Sequence, residues 1–500
     1  MTMVIRGELI SINDLETFAM THQSAVIEDG AMSCIKEGRS VIDRIVESGE
    51  PVYGVNTGFG RLSDMRIPAH KLDALQLNLI RSHACGVGPL LTREEVRAMG
   101  LLRLNVFALG RSGCRPETAT ALVNLLNAGI VPAVPSRGSV GASGDLAPLA
   151  HFALALVGEG EAVTPTDRIP MHDALAANGL HPITLRAKEG LALLNGTQAI
   201  GAVGGLALAR AIRTAQTADV AGAMSLEAVL GTDAAFDERI HDARPHPGQV
   251  AVAGHLRDLL AGSPMRESHR ENDPRVQDAY CLRCMPQVHG AVRDALEYGR
   301  RVFETESASA TDNPLVFAQR GDVISGGNFH AAPLAHALDF AAIALTDLAS
   351  ISERRIDRLV NPDLSEGLPP FLAQDPGEMS GLMMPHVTAA ALLNEAKVLA
   401  HPASVDNVPT SGGKEDHVSM GMTAALKFKR IVEIAEQVLA IEFLCAAQAF
   451  EFRRPLRSSK SIEAAYDAIR SVSPALTSDR STTKDIENVA QLIRNGALNR

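Results

Sequence analysis

Tryptophan is absent from these 500 residues, and tyrosine occurs four times. Aromatic residues make up only 4% of the chain. Alanine and leucine dominate the apolar set instead, which favours helices over sheets. Cysteine is also scarce. Cys34, Cys85, Cys114, Cys281, Cys284 and Cys445 are scattered along a long chain, a pattern that excludes a disulfide scaffold and suits a reducing cytosol. Cys281 and Cys284 form a Cys-x-x-Cys with no second pair, so packing rather than zinc is the expected role. The most apolar segments are interrupted by charge. Arg210, Arg213 and Asp219 break Ile200 to Leu230, while Asp339 and Asp347 break Leu334 to Ile351. Neither reads as a membrane span. Arg6 is not followed by an apolar core, so no signal peptide is expected. Basic charge is not in excess either. A net charge of -11 argues against a nucleic-acid partner. These absences point to a soluble cytoplasmic protein without membrane contact.

The chain is long enough for two or more cores, and its 46% hydrophobic and 21% charged residues are ordinary for a globular protein. Helical spacing runs over Ala31 to Ser48, Leu72 to Ile80, Thr92 to Leu109, Pro116 to Ala128 and Leu146 to Leu156. Thr92 and Glu95 are placed as a capping box. Residues 160 to 186 read as a turn-rich excursion with weak strand character. Beyond about 200 the pattern changes to long alanine-rich helices over 200–231, 286–304, 331–360, 383–400 and 418–450. The expected fold is mainly α, with an N-terminal domain over 1–200 that carries the candidate active-site loop and a long central helical bundle over 201–500. Apolar residues cover more than one face of these helices, so association with further subunits is expected.

The stretch with most chemical content is Ser136-Arg137-Gly138-Ser139-Val140-Gly141-Ala142-Ser143-Gly144-Asp145-Leu146. Its glycines recur at a spacing of three and admit tight backbone turns. If the loop is forced tight, the Gly144 amide nitrogen can reach the Ala142 carbonyl carbon, because Gly144 has no Cβ in the way. Ring closure with loss of water, followed by loss of the Ser143 hydroxyl, leaves an exposed methylidene carbon. A plainer reading is a glycine-rich turn in which Asp145 caps the helix that follows. Other glycine-loop chemistries fit poorly. There is no Gly-x-Gly-x-x-Gly and no Gly-Lys-Ser/Thr for phosphate, and Ser143 lacks the Gly-x-Ser-x-Gly frame of a hydrolase.

This stretch resembles the signature of the aromatic amino acid ammonia-lyase family, whose Ala-Ser-Gly triplet becomes 4-methylideneimidazol-5-one. The resemblance extends over nearly the whole chain. Tyr53, in Tyr53-Gly54-Val55-Asn56-Thr57-Gly58-Phe59-Gly60, matches the family's general base, a role that calls for a depressed phenol pKa. Asn195, in Asn195-Gly196-Thr197, matches an asparagine that contacts prosthetic group and substrate. Gln277, Tyr280 and Arg283 match a further motif, where the resemblance implies that Arg283 binds the substrate carboxylate in a bidentate manner. Phe329, in Gly326-Gly327-Asn328-Phe329-His330, matches the aromatic wall of the pocket. The implied catalytic set is Tyr53, Ala142, Ser143, Gly144, Tyr280 and Glu415. His83, Asn195, Gln277, Arg283 and Phe329 would hold the substrate. No metal and no external cofactor are implied, and the implied assembly is a homotetramer with sites built from several subunits.

Two places bear on the substrate. Ser82-His83 resembles the histidine branch of the family, and so does Glu415-Asp416-His417-Val418-Ser419-Met420. A carboxylate at Glu415 suits a basic imidazole and suits apolar rings poorly. The resemblance therefore implies elimination of ammonia from L-histidine to give urocanate. The pattern is broken at Gly413, Lys414 and His386, where the family usually has Asn, Gln and Gln. Lys414 is placed to alter the pocket's charge. The alternative within the family is a lyase or 2,3-aminomutase for another aryl amino acid such as tyrosine or phenylalanine. A third reading, a catalytically dead helical scaffold, sits badly with the joint presence of Tyr53, Asn195, Tyr280 and Arg283.

Overall fold

A computed structural model describes residues 2–499 apart from 59, 61–64, 272 and 274. The protein is mainly helical, as the alanine-rich composition implies. Among the described residues the few strands are short and form two-stranded sheets. Met1–Ala209, Gly299–Asp339 and Pro402–Leu426 form one compact unit. Arg210–Tyr298, Phe340–His401 and Lys427–Arg500 form the other. A single break at 200 was the expectation. The contacts instead divide the chain first at 209/210, within helix Gln198–Ala228, and return it to the first unit twice.

In the first unit, Thr92 and Glu95 make the capping box that begins helix Arg93–Ala108. Glu95 N donates to Thr92 Oγ1 at 3.3 Å, and Thr92 N donates to Glu95 Oε2 at 2.8 Å. Helix Leu146–Leu156 has the bounds read from the sequence. The excursion near 160 holds strands Glu161–Val163 and Arg168–Pro170 and the short helix Met171–Ala177, whose period was too brief to read. Thr2–Ile5 and Ser24–Ile27 pair in parallel, a pairing with no local sequence signal.

The second unit has buried charges matched in pairs, as burial demands. Arg355 and Glu442 pair there with both side chains fully buried, and Ser225 and Ser352 donate to the same carboxylate at 2.7 and 2.6 Å. Helix Pro247–Leu260 lies in a region that carried no helical expectation. Cys281 and Cys284 are half-buried free thiols. Among the described residues no cluster of His, Cys, Asp and Glu is arranged to hold a metal ion. Helix Ala332–Val360 is long and apolar enough to cross a membrane, but 67% of its most apolar window is buried inside the protein, so burial in a core accounts for its composition.

Candidate active site

The Ala142-Ser143-Gly144 loop is gripped on both sides by backbone. Gly141 and Gly144 have φ of 65° and 72°, a region that favours glycine. A Cβ on Gly144 would meet the Gly196 carbonyl oxygen at 2.2 Å, and one on Gly141 would meet Ser419 Oγ at 2.3 Å. The space beside both residues is already filled. Asp145 N donates to Gly196 O at 2.7 Å, and Met420 N donates to Val140 O at 2.8 Å. Ser419 Oγ donates to Gly141 O at 2.9 Å, while Ala331 N donates to the same oxygen at 3.1 Å. Three separate stretches of chain, at 196, 331 and 419–420, therefore hold this loop tight.

Asp145 precedes helix Leu146–Leu156 but makes no side-chain cap for it. The plainer capping reading fails because the carboxylate is turned elsewhere. It accepts from Ile200 N at 2.8 Å, in the first turn of helix Gln198–Ala228, and from Ser139 Oγ at 2.9 Å. Burial pushes its carboxyl up to about 6, against those hydrogen bonds and the charge of Arg103. Arg103 is fully buried. It donates to the carbonyls of Ala192 and Asn195, both at 2.9 Å, and to the Gln198 side chain. Burial lowers Arg103 to about 10, which leaves it a cation at neutral pH.

Asn195 Nδ2 donates to Ser143 O at 3.2 Å, and Asn195 Oδ1 is buried without a partner. Ser143 Oγ donates to Glu415 Oε1. The second oxygen of Glu415 accepts from Thr410 Oγ1 at 2.8 Å and from Ser411 Oγ at 2.7 Å. Burial pushes Glu415 up. The hydroxyls of Ser143, Ser411 and Thr410 outweigh it, with help from His83, and hold the carboxyl below its ordinary value. The hydroxyl pair at 410–411 went unread in the sequence. Its signal was Gly412-Gly413, a turn mark. Ser411, Gly412 and Gly413 all have positive φ, and the turn folds Thr410 back against Glu415.

Two cavities of about 600 and 510 Å³ meet here, and Tyr53, Ser143 and Glu415 line both. The larger has a wall of Leu75, Leu146, Leu191 and Leu194, with His83 and Asn195 as polar points. The smaller holds Phe329, His330, Lys414, Asp416 and His417. His83 Nδ1 lies 2.8 Å from Leu79 O. A carbonyl only accepts, so Nδ1 carries the hydrogen of this contact. Tyr53 departs from the expected depressed pKa. Burial pushes its phenol up, the Glu415 charge adds to the rise, and a hydrogen bond with the Gly60 backbone opposes it. Phe59, in the same loop, lies outside the described residues.

Lys414 is exposed on the smaller cavity. It does not take up Glu415, whose partners are the three hydroxyls. Gln277, Tyr280, Arg283 and His386 belong to the second unit. Tyr280 is 70% exposed, and the Arg283 guanidinium lies over its ring at 4.6 Å from the centroid. Arg283 Nε is buried without a partner. His386 Nε2 is 2.8 Å from Glu353 Oε1, so the unusual histidine is held by a carboxylate of its own unit.

Comparison with known proteins gives a consistent result. The family model for aromatic amino acid lyase matches residues 10–471. A histidine ammonia-lyase of Koribacter versatilis is 54% identical over 99% of this chain and 98% of its own length. The crystal structure of histidine ammonia-lyase from Trypanosoma cruzi superposes with a TM-score of 0.92 at 45% identity, covering 100% of this chain and 94% of that one. Tyrosine aminomutase from Streptomyces globisporus superposes with a TM-score of 0.95 at 38% identity, covering 100% and 98%.

Proposed function

Because the chain belongs to the aromatic amino acid lyase family, we propose that it eliminates ammonia from L-histidine to give urocanate, with an electrophile made from Ala142, Ser143 and Gly144. The observation that carries this reading is the meeting of Ser143, Glu415 and His83 in one cavity. High identity to histidine ammonia-lyases over the full length supports the same substrate.

The residues present suit a 4-methylideneimidazol-5-one group. Gly144 has no room for a Cβ, Asn195 holds the Ser143 carbonyl, and its own Oδ1 is left unpaired beside the loop. When formed, the group supplies an electrophilic carbon that lets the amino group depart. The protein's other side chains bind the substrate and manage its protons. By its resemblance to the family, whose sites are assembled from several subunits, Arg283 receives the carboxylate; its Nε lacks a partner within the chain. Gln277 and Tyr280 assist from the same motif, and Phe329 forms an aromatic wall. His83 Nε2 accepts from the imidazole N–H, and Glu415 meets the ring's other side or takes a proton released in the reaction. Tyr53 is a phenol at neutral pH. The substrate's ammonium adds positive charge beside it and offsets Glu415, which lowers Tyr53 toward a basic role.

The active form is a cytoplasmic homotetramer in this reading. Apolar side chains exposed on the second unit, among them Val276, Met384 and Val387, support association, and the six free cysteines are consistent with a reducing compartment. The likeness to a tyrosine aminomutase supports a second reading, a mutase. Mass spectrometry of products from a panel of histidine, tyrosine and phenylalanine separates them. Urocanate and ammonia from histidine are the expected result, whereas a β-amino acid would establish the mutase.

Arg283→Ala is expected to weaken substrate or urocanate binding by about 2–5 kcal/mol, the range for truncating one partner of a buried charge pair. Calorimetric titration measures it, and unchanged affinity would remove Arg283 from the site.

A further inference from the structure

Ser143 Oγ and Glu415 Oε1 share a hydrogen bond, and the other Glu415 oxygen is occupied by Thr410 and Ser411. We propose that Glu415 also acts before any substrate arrives, as the group that carries a proton from Ser143 Cα to Ser143 Oγ while that residue loses water. The inference rests on the reading that Ala142-Ser143-Gly144 forms the prosthetic group.

A serine hydroxyl leaves poorly as hydroxide and readily as water, so the departing Oγ needs a second proton. The Cα of the same residue has one to give, two bonds away. Glu415 Oε1 takes the Cα proton, and the C–H electron pair becomes the Cα=Cβ double bond. The Cβ–Oγ bond breaks with its pair on oxygen. Oγ receives the proton from Glu415 and departs as water. Glu415 is a carboxylate again at the end, and no oxidant, reductant or further reactant is consumed.

Neighbouring groups are less suited. The Asp145 carboxylate is engaged by Ile200 N and Ser139 Oγ. Asn195 reaches Ser143 through the main-chain carbonyl and not through Oγ. Tyr53 lines the same cavities but holds its proton more tightly than an ordinary phenol. Glu415 is the carboxylate that touches the departing oxygen, and three hydroxyls keep it ionised and fixed in place. The step has a built-in order. While Ser143 keeps Oγ, the Oε1 acceptor is occupied from within the chain. Loss of the hydroxyl frees that oxygen to face the substrate.

Intact-protein mass spectrometry with peptide mapping tests this without reference to turnover. Wild type is expected to be lighter by two waters. Glu415→Gln is expected to accumulate a form lighter by one water that still carries the Ser143 hydroxyl, because ring closure does not need the carboxylate. Full loss of both waters in Glu415→Gln overturns the proposal, and so does a one-water form that lacks the Ser143 hydroxyl or a variant that loses no water. If Glu415→Gln fails to fold, Glu415→Asp decides. A second loss slower than in wild type by tenfold or more supports the step, and a wild-type time course overturns it. A wild type that retains both waters would instead remove the underlying reading of the triplet.

Discussion

Ser143→Ala is expected to lower turnover of histidine by at least about 10³-fold, roughly 4 kcal/mol in the barrier. The mutation removes one oxygen and nothing that shapes the loop. The Ser143 carbonyl is still held by Asn195, Gly141 still accepts from Ser419 and Ala331, and Gly144 still lies against Gly196. Glu415 keeps its hydrogen bonds from Thr410 and Ser411. The loss is therefore chemical. With no hydroxyl to expel, no methylidene carbon forms, and the amino group has nothing to push against. Thermal stability should stay close to wild type and substrate should still bind, so calorimetry and steady-state assays separate the two effects. Turnover within tenfold of wild type would exclude an electrophile at this position.

Glu415→Gln is expected to lower histidine turnover by roughly 10²–10⁴, the range for a positioned acid–base group. The amide keeps the size and one acceptor oxygen for the turn hydroxyls, but it has no charge and cannot take a proton. Because the carboxylate also touches Ser143, the assay must be scaled to the fraction of chains that carry the finished group. Only the remaining defect reports on the substrate. The hydroxyls of Thr410, Ser411 and Ser143 hold Glu415 below the ordinary glutamate value. Activity that depends on its charge should persist as pH falls toward that value and fail only beneath it. The argument for an imidazole collapses if wild type prefers tyrosine or phenylalanine. Lys414, exposed on the adjoining cavity, is then the charge to examine first.

Much of this architecture was legible because it is written locally. Thr92 and Glu95 announce a helix start, and the long alanine-rich periods mark helices such as Ala332–Val360. The triplet, the tyrosine loop and the glutamate were readable as motifs because glycine spacing and rare tyrosines stand out. What escaped notice depends on distance along the chain. Asp145 looked like the cap of the helix next to it. Its actual donors are Ser139 and an amide 55 positions away, and no local pattern reveals that. Arg103 reads as an ordinary helical arginine until the fold places the Asn195 carbonyl against it. A basic role for Tyr53 calls for an acidified phenol, yet burial raises it and the nearby Glu415 carboxylate adds to the rise. Charge balance of this kind is a property of the assembled site.

The grip on the triplet also has a consequence for biosynthesis. Val140 and Gly141 are held by Ser419 and Met420, which leave the ribosome almost 280 residues later. At roughly 5–20 residues per second, that interval lasts on the order of tens of seconds. Once Asn195 and Gly196 are made, some 50 residues after the loop, the nascent loop has them on one side but nothing from the 419–420 segment on the other. Glu415 is missing as well. On the proposed reading of the triplet, the grip that favours ring closure is thus completed only when the chain is nearly finished, and the reactive carbon would not be exposed on a half-made protein.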